Sequence, residues 1–100
     1  MVLGTPWMIS FMERVSNRLV AGHLPEGLLS VGVHVDVRHL AATPVKVEIR
    51  VRAEVLEIIK NRIKLSIEAW DNHDKIGEGT HLRAVVERDR FMARVLAKSQ

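Results

Sequence analysis

The chain of 100 residues contains no cysteine, so it can form no disulfide bond and can hold no metal ion through thiolates. It also lacks any uninterrupted apolar run near the roughly 20 residues that a membrane-spanning helix needs, which excludes such a helix. No basic segment precedes an apolar core at the N-terminus, which argues against a cleaved signal peptide. From these absences we expect a cytoplasmic protein without a membrane partner.

An excess of charge of one sign is missing as well. Fifteen Lys and Arg against 12 Asp and Glu leave a net charge of +3, and the two signs are interleaved between Lys46 and Glu57. A nucleic-acid-binding protein usually gathers its basic residues in one patch, and only 4% of the residues here are aromatic. The sequence therefore argues against a nucleic-acid partner. The 47% of hydrophobic residues is ordinary for a globular protein, and we expect one domain over residues 1–100.

The spacing of apolar residues predicts a helix, four strands and a short helix. Apolar side chains recur at helical spacing from Met8 to Leu19, Thr5 is placed to cap this helix, and Pro6 suits its first turn. After Leu29 the apolar period changes to two. The half-buried strands are predicted at residues 29–39, 45–55, 63–69 and 75–86. Asp89 is predicted to cap the closing helix.

Short turns between the strands predict an antiparallel meander, with the first helix covering its apolar face. The fold class is α+β, a long central helix against a curved antiparallel sheet. In the turn after the second strand, Asn61 is suited to the left-handed conformation. In the last strand, Gly77 and Gly79 indicate a bulge or a close backbone approach.

His39 is the most interesting residue that the pattern alone picks out. It has the parity of Val31, Val33, Val35 and Val37, which puts it on the apolar side of its strand. An imidazole at the end of a buried face is a candidate general base, since its pKa is easily placed near neutrality. The alternative is a core histidine that is satisfied by a backbone carbonyl.

Glu13 and Thr5 each have two interpretations. Glu13 lies at the edge of the apolar arc of the first helix, so its carboxylate either faces a cleft or a partner subunit, or is an ordinary solvated group. Thr5 is explained as a cap, although a hydroxyl at a helix N-terminus can also bind a carbonyl or an anion. The five histidines have no metal-ligand spacing, and no phosphate-binding glycine loop is present, so we expect neither a metal nor a nucleotide site.

Three motifs together resemble a known family. They are Gly4-Thr5-Pro6-Trp7-Met8-Ile9-Ser10-Phe11-Met12-Glu13, Val37-Arg38-His39-Leu40-Ala41-Ala42-Thr43-Pro44 and Ile76-Gly77-Glu78-Gly79-Thr80-His81-Leu82-Arg83. In order and spacing they resemble hotdog-fold thioesterases of the fluoroacetyl-CoA thioesterase type, over almost the whole chain.

The resemblance implies a homodimer or larger oligomer with an active site between subunits. Thr5, Glu13 and His39 fall on the family's catalytic Thr-Glu-His positions, Gly32 falls on its carbonyl-binding position, and Arg83 is expected to bind substrate. The carboxylate would attack the thioester or activate water, and the imidazole would serve the hydrolytic water and the leaving thiolate. No cofactor is implied, because coenzyme A is part of the substrate.

Two departures from the family pattern limit what is carried over. In the family a segment with an edge strand precedes the central helix, and the family's aromatic lid lies in or next to that segment. Since the helix is predicted almost at Met1 here, we expect a truncated start, a sheet that is complete without that strand, or another chain that fills the gap. The sequence therefore predicts a thioesterase for short- or medium-chain acyl-CoA rather than for fluoroacetyl-CoA in particular. The alternative is a hotdog domain that binds an acyl ligand without hydrolysing it.

Overall fold

The structure is a computed structural model that describes residues 1–99. Its elements are α1 (Thr5–Ala21), β1 (Leu28–His39), β2 (Arg50–Ile59), β3 (Arg62–Trp70), β4 (Lys75–Glu87) and α2 (Arg88–Ala97). The strands form one antiparallel sheet in the order β1-β4-β3-β2, and α1 packs against one face of it. The predicted α+β architecture is confirmed. None of the helices in this range is long and apolar enough to cross a membrane.

The core lies between α1 and the sheet. One side of α1 is buried along a row of residues four positions apart: Met8, Met12, Ser16 and Val20. Met8 and Met12 pack over β3 and β4, where Gly77 allows the helix to lie close. A Cβ on Gly77 would lie 2.5 Å from the Met8 Sδ. The close backbone approach that the sequence predicts is found at Gly79, where a Cβ would meet the backbone of Asp36 and Val37, whereas the neighbours of Gly77 are side-chain atoms.

Both predicted helix caps are wrong. The N-cap of α1 is Gly4, and Thr5 is the first helical residue and makes no capping hydrogen bond. Its hydroxyl instead points to β1, where it finds a partner in His39. The N-cap of α2 is Glu87, so Asp89 lies within the first turn, where a carboxylate still interacts favourably with the helix dipole.

The second strand begins later than predicted. Residues 45–49 are irregular, Lys46 has a φ of 72°, and pairing with β3 starts at Arg50 opposite Trp70. Residues 44 and 45 lie beside the N-terminal residues, with a single bridge between Val2 and Pro44. The turn into β3 is placed correctly, but Lys60 takes the left-handed conformation there, with a φ of 54°, and not Asn61.

The strand order is only partly a meander. The strands β2, β3 and β4 follow one another, but β1 pairs with β4, so β1 and β2 are opposite edges of the described sheet. Residues 40–49 cross from one edge to the other. The crossing is anchored by Thr43, which is fully buried and donates a hydrogen bond to Asp71 Oδ2 at 2.7 Å. This bond, with the backbone N–H groups of Asp74 and His73, lowers the pKa of Asp71.

A bulge in β1 changes which residues face the helix. Gly32 pairs with Arg83 and His34 with Leu82, so Val33 is an extra residue in the ladder. After the bulge the odd-numbered residues Val35, Val37 and His39 face the helix side, as predicted. Before the bulge the even-numbered residues face that side instead. Ser30 and Gly32 face α1 there, and the prediction for Val31 and Val33 is wrong.

Candidate active site

The first residue of α1 and the last residue of β1 form a polar pair. The Thr5 Oγ1 and the His39 Nδ1 are 2.8 Å apart, and Gly4 as the N-cap brings the start of the helix to this end of the strand. The His39 Nε2 is buried and has no hydrogen-bond partner within residues 1–99. Both side chains line a pocket of about 380 Å³, together with Leu3 and Leu40.

This pair can perform acid–base chemistry. With the proton on Nδ1, the His39 ring donates to the Thr5 hydroxyl, and its Nε2 is left as an acceptor for a proton from water. The hydroxyl also fixes the ring orientation. Of the two sequence-based interpretations, a histidine bonded to a backbone carbonyl does not describe His39, because its partner is a side chain.

A second polar cluster lies over the bulge of β1. A Cβ built on Gly32 would lie 3.2 Å from the His81 Nε2, 3.7 Å from the Arg83 Nη1 and 3.8 Å from the Glu13 Oε2. Three ionisable groups, from α1 and β4, therefore converge on the space that the glycine leaves open. Of the two interpretations of Glu13, a carboxylate turned toward the protein fits this position, because its residue is only partly exposed.

Arg83 is held inside this cluster. Its Nε donates to the Ser30 Oγ at 2.7 Å, and its Nη2 donates to the Ser30 carbonyl at 2.9 Å and to the Asn17 Oδ1 at 3.1 Å. Only 5% of the residue is exposed. Burial lowers the pKa of Arg83, and the nearby Glu13 carboxylate opposes that effect. The arginine predicted to bind substrate thus has its guanidinium anchored within the chain, with Nη1 on the side of Gly32.

His81 is the residue of this cluster that the sequence analysis did not single out as functional. It is 1% exposed, and neither ring nitrogen has a hydrogen-bond partner in the part of the chain that the structure describes. Burial lowers the pKa of His81, the positive charge of Arg83 lowers it further, and Glu13 raises it. A signal was present in the sequence, since His81 and Arg83 share the parity of Gly77, which faces the helix.

The two clusters are separate in a single chain. The positions of Thr5 and Glu13 put about 12 Å between them along the helix axis. Gly32 and His39 are separated by roughly 20 Å along β1. The structure thus brings Thr5 together with His39, and Glu13 together with Gly32 and Arg83.

Two further features concern ligands. Across residues 1–99, no group of three or more His, Cys, Asp or Glu side chains is arranged to hold a metal ion. An apolar cavity of about 500 Å³ lies at the C-terminal end of α1, between Leu19 and Val20 of the helix and Val55 and Ile63 of the sheet. This cavity includes neither polar cluster.

Comparison with known protein families matches residues 1–89 to the family described as FlK, fluoroacetyl-CoA-specific thioesterase. The chain belongs to this family. The family resemblance predicted from the three motifs is confirmed, and so is the predicted enzyme class, since the chain is a homologue of a thioester hydrolase.

Individual FlK-family relatives agree with this membership. The fluoroacetyl-CoA thioesterase of Streptantibioticus cattleyicolor is 37% identical over 98 residues, covering 98% of this chain and 70% of the relative. A crystal structure of a variant of the fluoroacetyl-CoA-specific thioesterase, in complex with fluoroacetate and CoA, is 36% identical. It superposes with a TM-score of 0.93 over 99% of this chain and 77% of that one.

A more distant structure supports the fold. The hot-dog-like protein from Thermanaerovibrio acidaminovorans is 29% identical and superposes with a TM-score of 0.91, over 97% of this chain and 72% of that chain. The hotdog fold expected from the sequence is therefore confirmed for this FlK-family chain.

Proposed function

We propose that the chain hydrolyses a short- or medium-chain acyl-CoA to the free acid and CoA, with Thr5, Glu13 and His39 as catalytic residues. The observation that carries this proposal is the 2.8 Å contact between Thr5 and His39, whose Nε2 has no partner within residues 1–99. A partly buried imidazole that is oriented by a hydroxyl is equipped to move protons. The coenzyme A moiety of the substrate is inferred from the relative that acts on fluoroacetyl-CoA.

The separation of the two clusters supports a site shared by two subunits. β1 is an edge strand of the described sheet, and edge strands of two copies can pair antiparallel about a two-fold axis. With the axis at Asp36, and Val33 counted as the extra residue of the bulge, Gly32 of one copy lies opposite His39 of the partner subunit. Because residues directly opposite in an antiparallel pair point to the same face, Glu13 then lies beside the Thr5–His39 pair of the partner subunit. We therefore propose a homodimer with two such sites.

In this arrangement the groups divide the reaction between them. The Glu13 carboxylate either attacks the thioester carbonyl, giving an anhydride as the C–S bond breaks, or takes a proton from the attacking water. In the first route, His39 takes a proton from the water that hydrolyses the anhydride and returns it to the thiolate of CoA. In the second route, the proton that Glu13 takes from the water reaches the thiolate by way of His39. Backbone N–H groups at the Gly32 bulge are suited to bind the carbonyl oxygen as negative charge develops on it. The buried Arg83 supplies positive charge next to Glu13 rather than at the CoA phosphates.

The test is the release of free thiol from acyl-CoAs, from acetyl to decanoyl and including fluoroacetyl-CoA. We expect turnover by the unmodified chain, and losses in kcat of roughly 10²–10⁴-fold in His39→Ala and Glu13→Gln. The matched controls are His23→Ala and Glu26→Gln, two exposed residues outside both clusters, which should keep full activity.

Two outcomes would contradict the proposal. Full activity in folded His39→Ala would remove the assigned base. No thiol release from any acyl-CoA by the folded, unmodified chain would favour the alternative, a hotdog domain that binds an acyl ligand without hydrolysing it. Direct binding of a nonhydrolysable acyl-CoA analogue would then separate that alternative from an inactive chain.

A further inference from the structure

His81 is a buried histidine that has no role in the reaction steps proposed above. Its ring lies on the helix-facing side of β4, opposite Val35 of β1 and Leu65 of β3 in the ladder. Neither nitrogen has a partner within residues 1–99. A buried polar group without a hydrogen bond costs free energy, so an imidazole in this position calls for a function.

The space beside Gly32 indicates what that function is. The His81 Nε2 and the Glu13 Oε2 both lie within 4 Å of the position that a Cβ on Gly32 would occupy. Any larger residue at position 32 would fill the region on which the imidazole and the carboxylate converge. Glycine at the bulge therefore leaves open the region between the two polar atoms as well as access to the backbone.

The surroundings of His81 favour a neutral imidazole. Burial and the nearby positive charge of Arg83 lower the pKa of His81, and the Glu13 carboxylate opposes them. A neutral ring carries one proton, on either Nδ1 or Nε2. Of the two ring nitrogens, Nε2 is the one found nearest the space beside Gly32. It makes no direct hydrogen bond to Glu13, so a proton on Nε2 is the one placed to reach the carboxylate through one bound water or a small side-chain shift.

We propose that His81 is a positioning residue of this site, whose Nε2–H holds the Glu13 carboxylate in the orientation that the thioesterase reaction needs. The inference rests on the proposed function and deepens it, since His81 acts through Glu13 and does not touch the substrate. Arg83 supplies positive charge next to the Glu13 carboxylate, and the His81 Nε2–H fixes the orientation of that carboxylate.

The kinetic test compares His81→Leu with His81→Gln. Leucine removes the donor, whereas the amide Nε2 of glutamine can donate from a similar place. We expect His81→Leu to lower kcat by about 10- to 100-fold with KM within about threefold, and His81→Gln to recover most of the loss. Unchanged kcat in His81→Leu would overturn the proposal, and so would equal losses in both variants when both are folded, because that pattern marks a purely structural histidine.

A second measurement does not depend on activity. Nitrogen-15 NMR of the histidine rings, assigned with His81→Gln, should show His81 neutral with its proton on Nε2. Its Nε2 resonance should shift in Glu13→Gln. A proton on Nδ1, or a His81 signal unaffected by Glu13→Gln, would overturn the proposal even if His81→Leu does not fold.

The two tests also separate this inference from the function on which it rests. If the unmodified chain releases no thiol, the proposed function fails, while the NMR result still decides whether His81 holds Glu13. If the unmodified chain is active and His81→Leu is equally active, the positioning role alone fails.

Discussion

The Thr5 hydroxyl and the His39 imidazole are 2.8 Å apart, although 34 positions separate them in the sequence. The sequence predicts that the Thr5 hydroxyl caps α1, but in the structure this hydroxyl contacts the His39 ring of β1. The N-cap residue of α1 is Gly4. Loss of the Thr5 hydroxyl should therefore affect catalytic activity but not the stability of the fold.

Replacing Thr5 should impair the reaction and leave the fold almost unchanged. Thr5→Val keeps the shape but removes the partner of the His39 Nδ1, so we expect kcat to fall by about 10- to 100-fold. Because Thr5 is exposed and caps nothing, the free energy of unfolding should change by less than about 0.5 kcal/mol. Thiol release and chemical denaturation measure the two quantities. Thr5→Ser, which keeps the hydroxyl, is the control, and a loss in Thr5→Ser as large as in Thr5→Val would contradict the assignment.

His81 should make the stability of the chain depend on pH. Its pKa is lowered in the folded state, chiefly by burial and then by Arg83, while Glu13 raises it, so below an unfolded-state pKa of 6.5 the unfolded chain binds the extra proton. The contribution of the neutral ring is therefore complete above pH 6.5 and is lost as the pH falls below it. We expect the free energy of unfolding to decline from pH 6.5 toward 5, and to decline less in His81→Gln. Parallel pH profiles for the two proteins would show that His81 does not carry this dependence.

Glycines 77 and 79 of β4 should differ in their tolerance of a methyl group. A Cβ on Gly77 would meet the ends of the Met8 and Met12 side chains, whereas one on Gly79 would meet the backbone of Asp36 and Val37. Side-chain ends can shift but a paired strand cannot, so we expect Gly77→Ala to cost about 1–3 kcal/mol and Gly79→Ala to cost more.

A third glycine provides the control for this pair. Gly22 at the end of α1 has a φ of −65°, and a Cβ there would make only ordinary contacts. Gly22→Ala should therefore stabilise the chain by about 0.4–1 kcal/mol. Denaturant unfolding of the three variants gives the comparison, and Gly79→Ala with wild-type stability would contradict the close approach of β1 and β4.

The periodicity of the sequence predicts all six elements, because apolar spacing within an element is a local property. The strand order, the bulge at Val33 and the irregular start of β2 are missed, because each depends on pairing between distant residues. The bulge matters most, since it turns Ser30 and Gly32 toward the helix and so creates the second polar cluster.

The candidate site is predicted only in part for the same reason. His39 is found from its parity, because the alternation is regular from Val35 onward. Glu13 and Thr5 acquire their interpretation from the family resemblance, and their partners become visible only when α1 is placed on the sheet. His81 is overlooked because a histidine in a strand has no local signature, and its burial follows from the packing of α1 over β4.

The central claim is that Glu13 of one subunit works with Thr5 and His39 of the partner subunit, and complementation tests it most directly. Glu13→Gln and His39→Ala are mixed under conditions in which subunits exchange, and mass spectrometry confirms that mixed dimers form. Each mixed dimer has one site with both defects and one with neither, so random pairing should restore about a quarter of the wild-type thiol release. If mixed dimers form and the mixture stays as inactive as its components, the site does not combine these residues from two subunits.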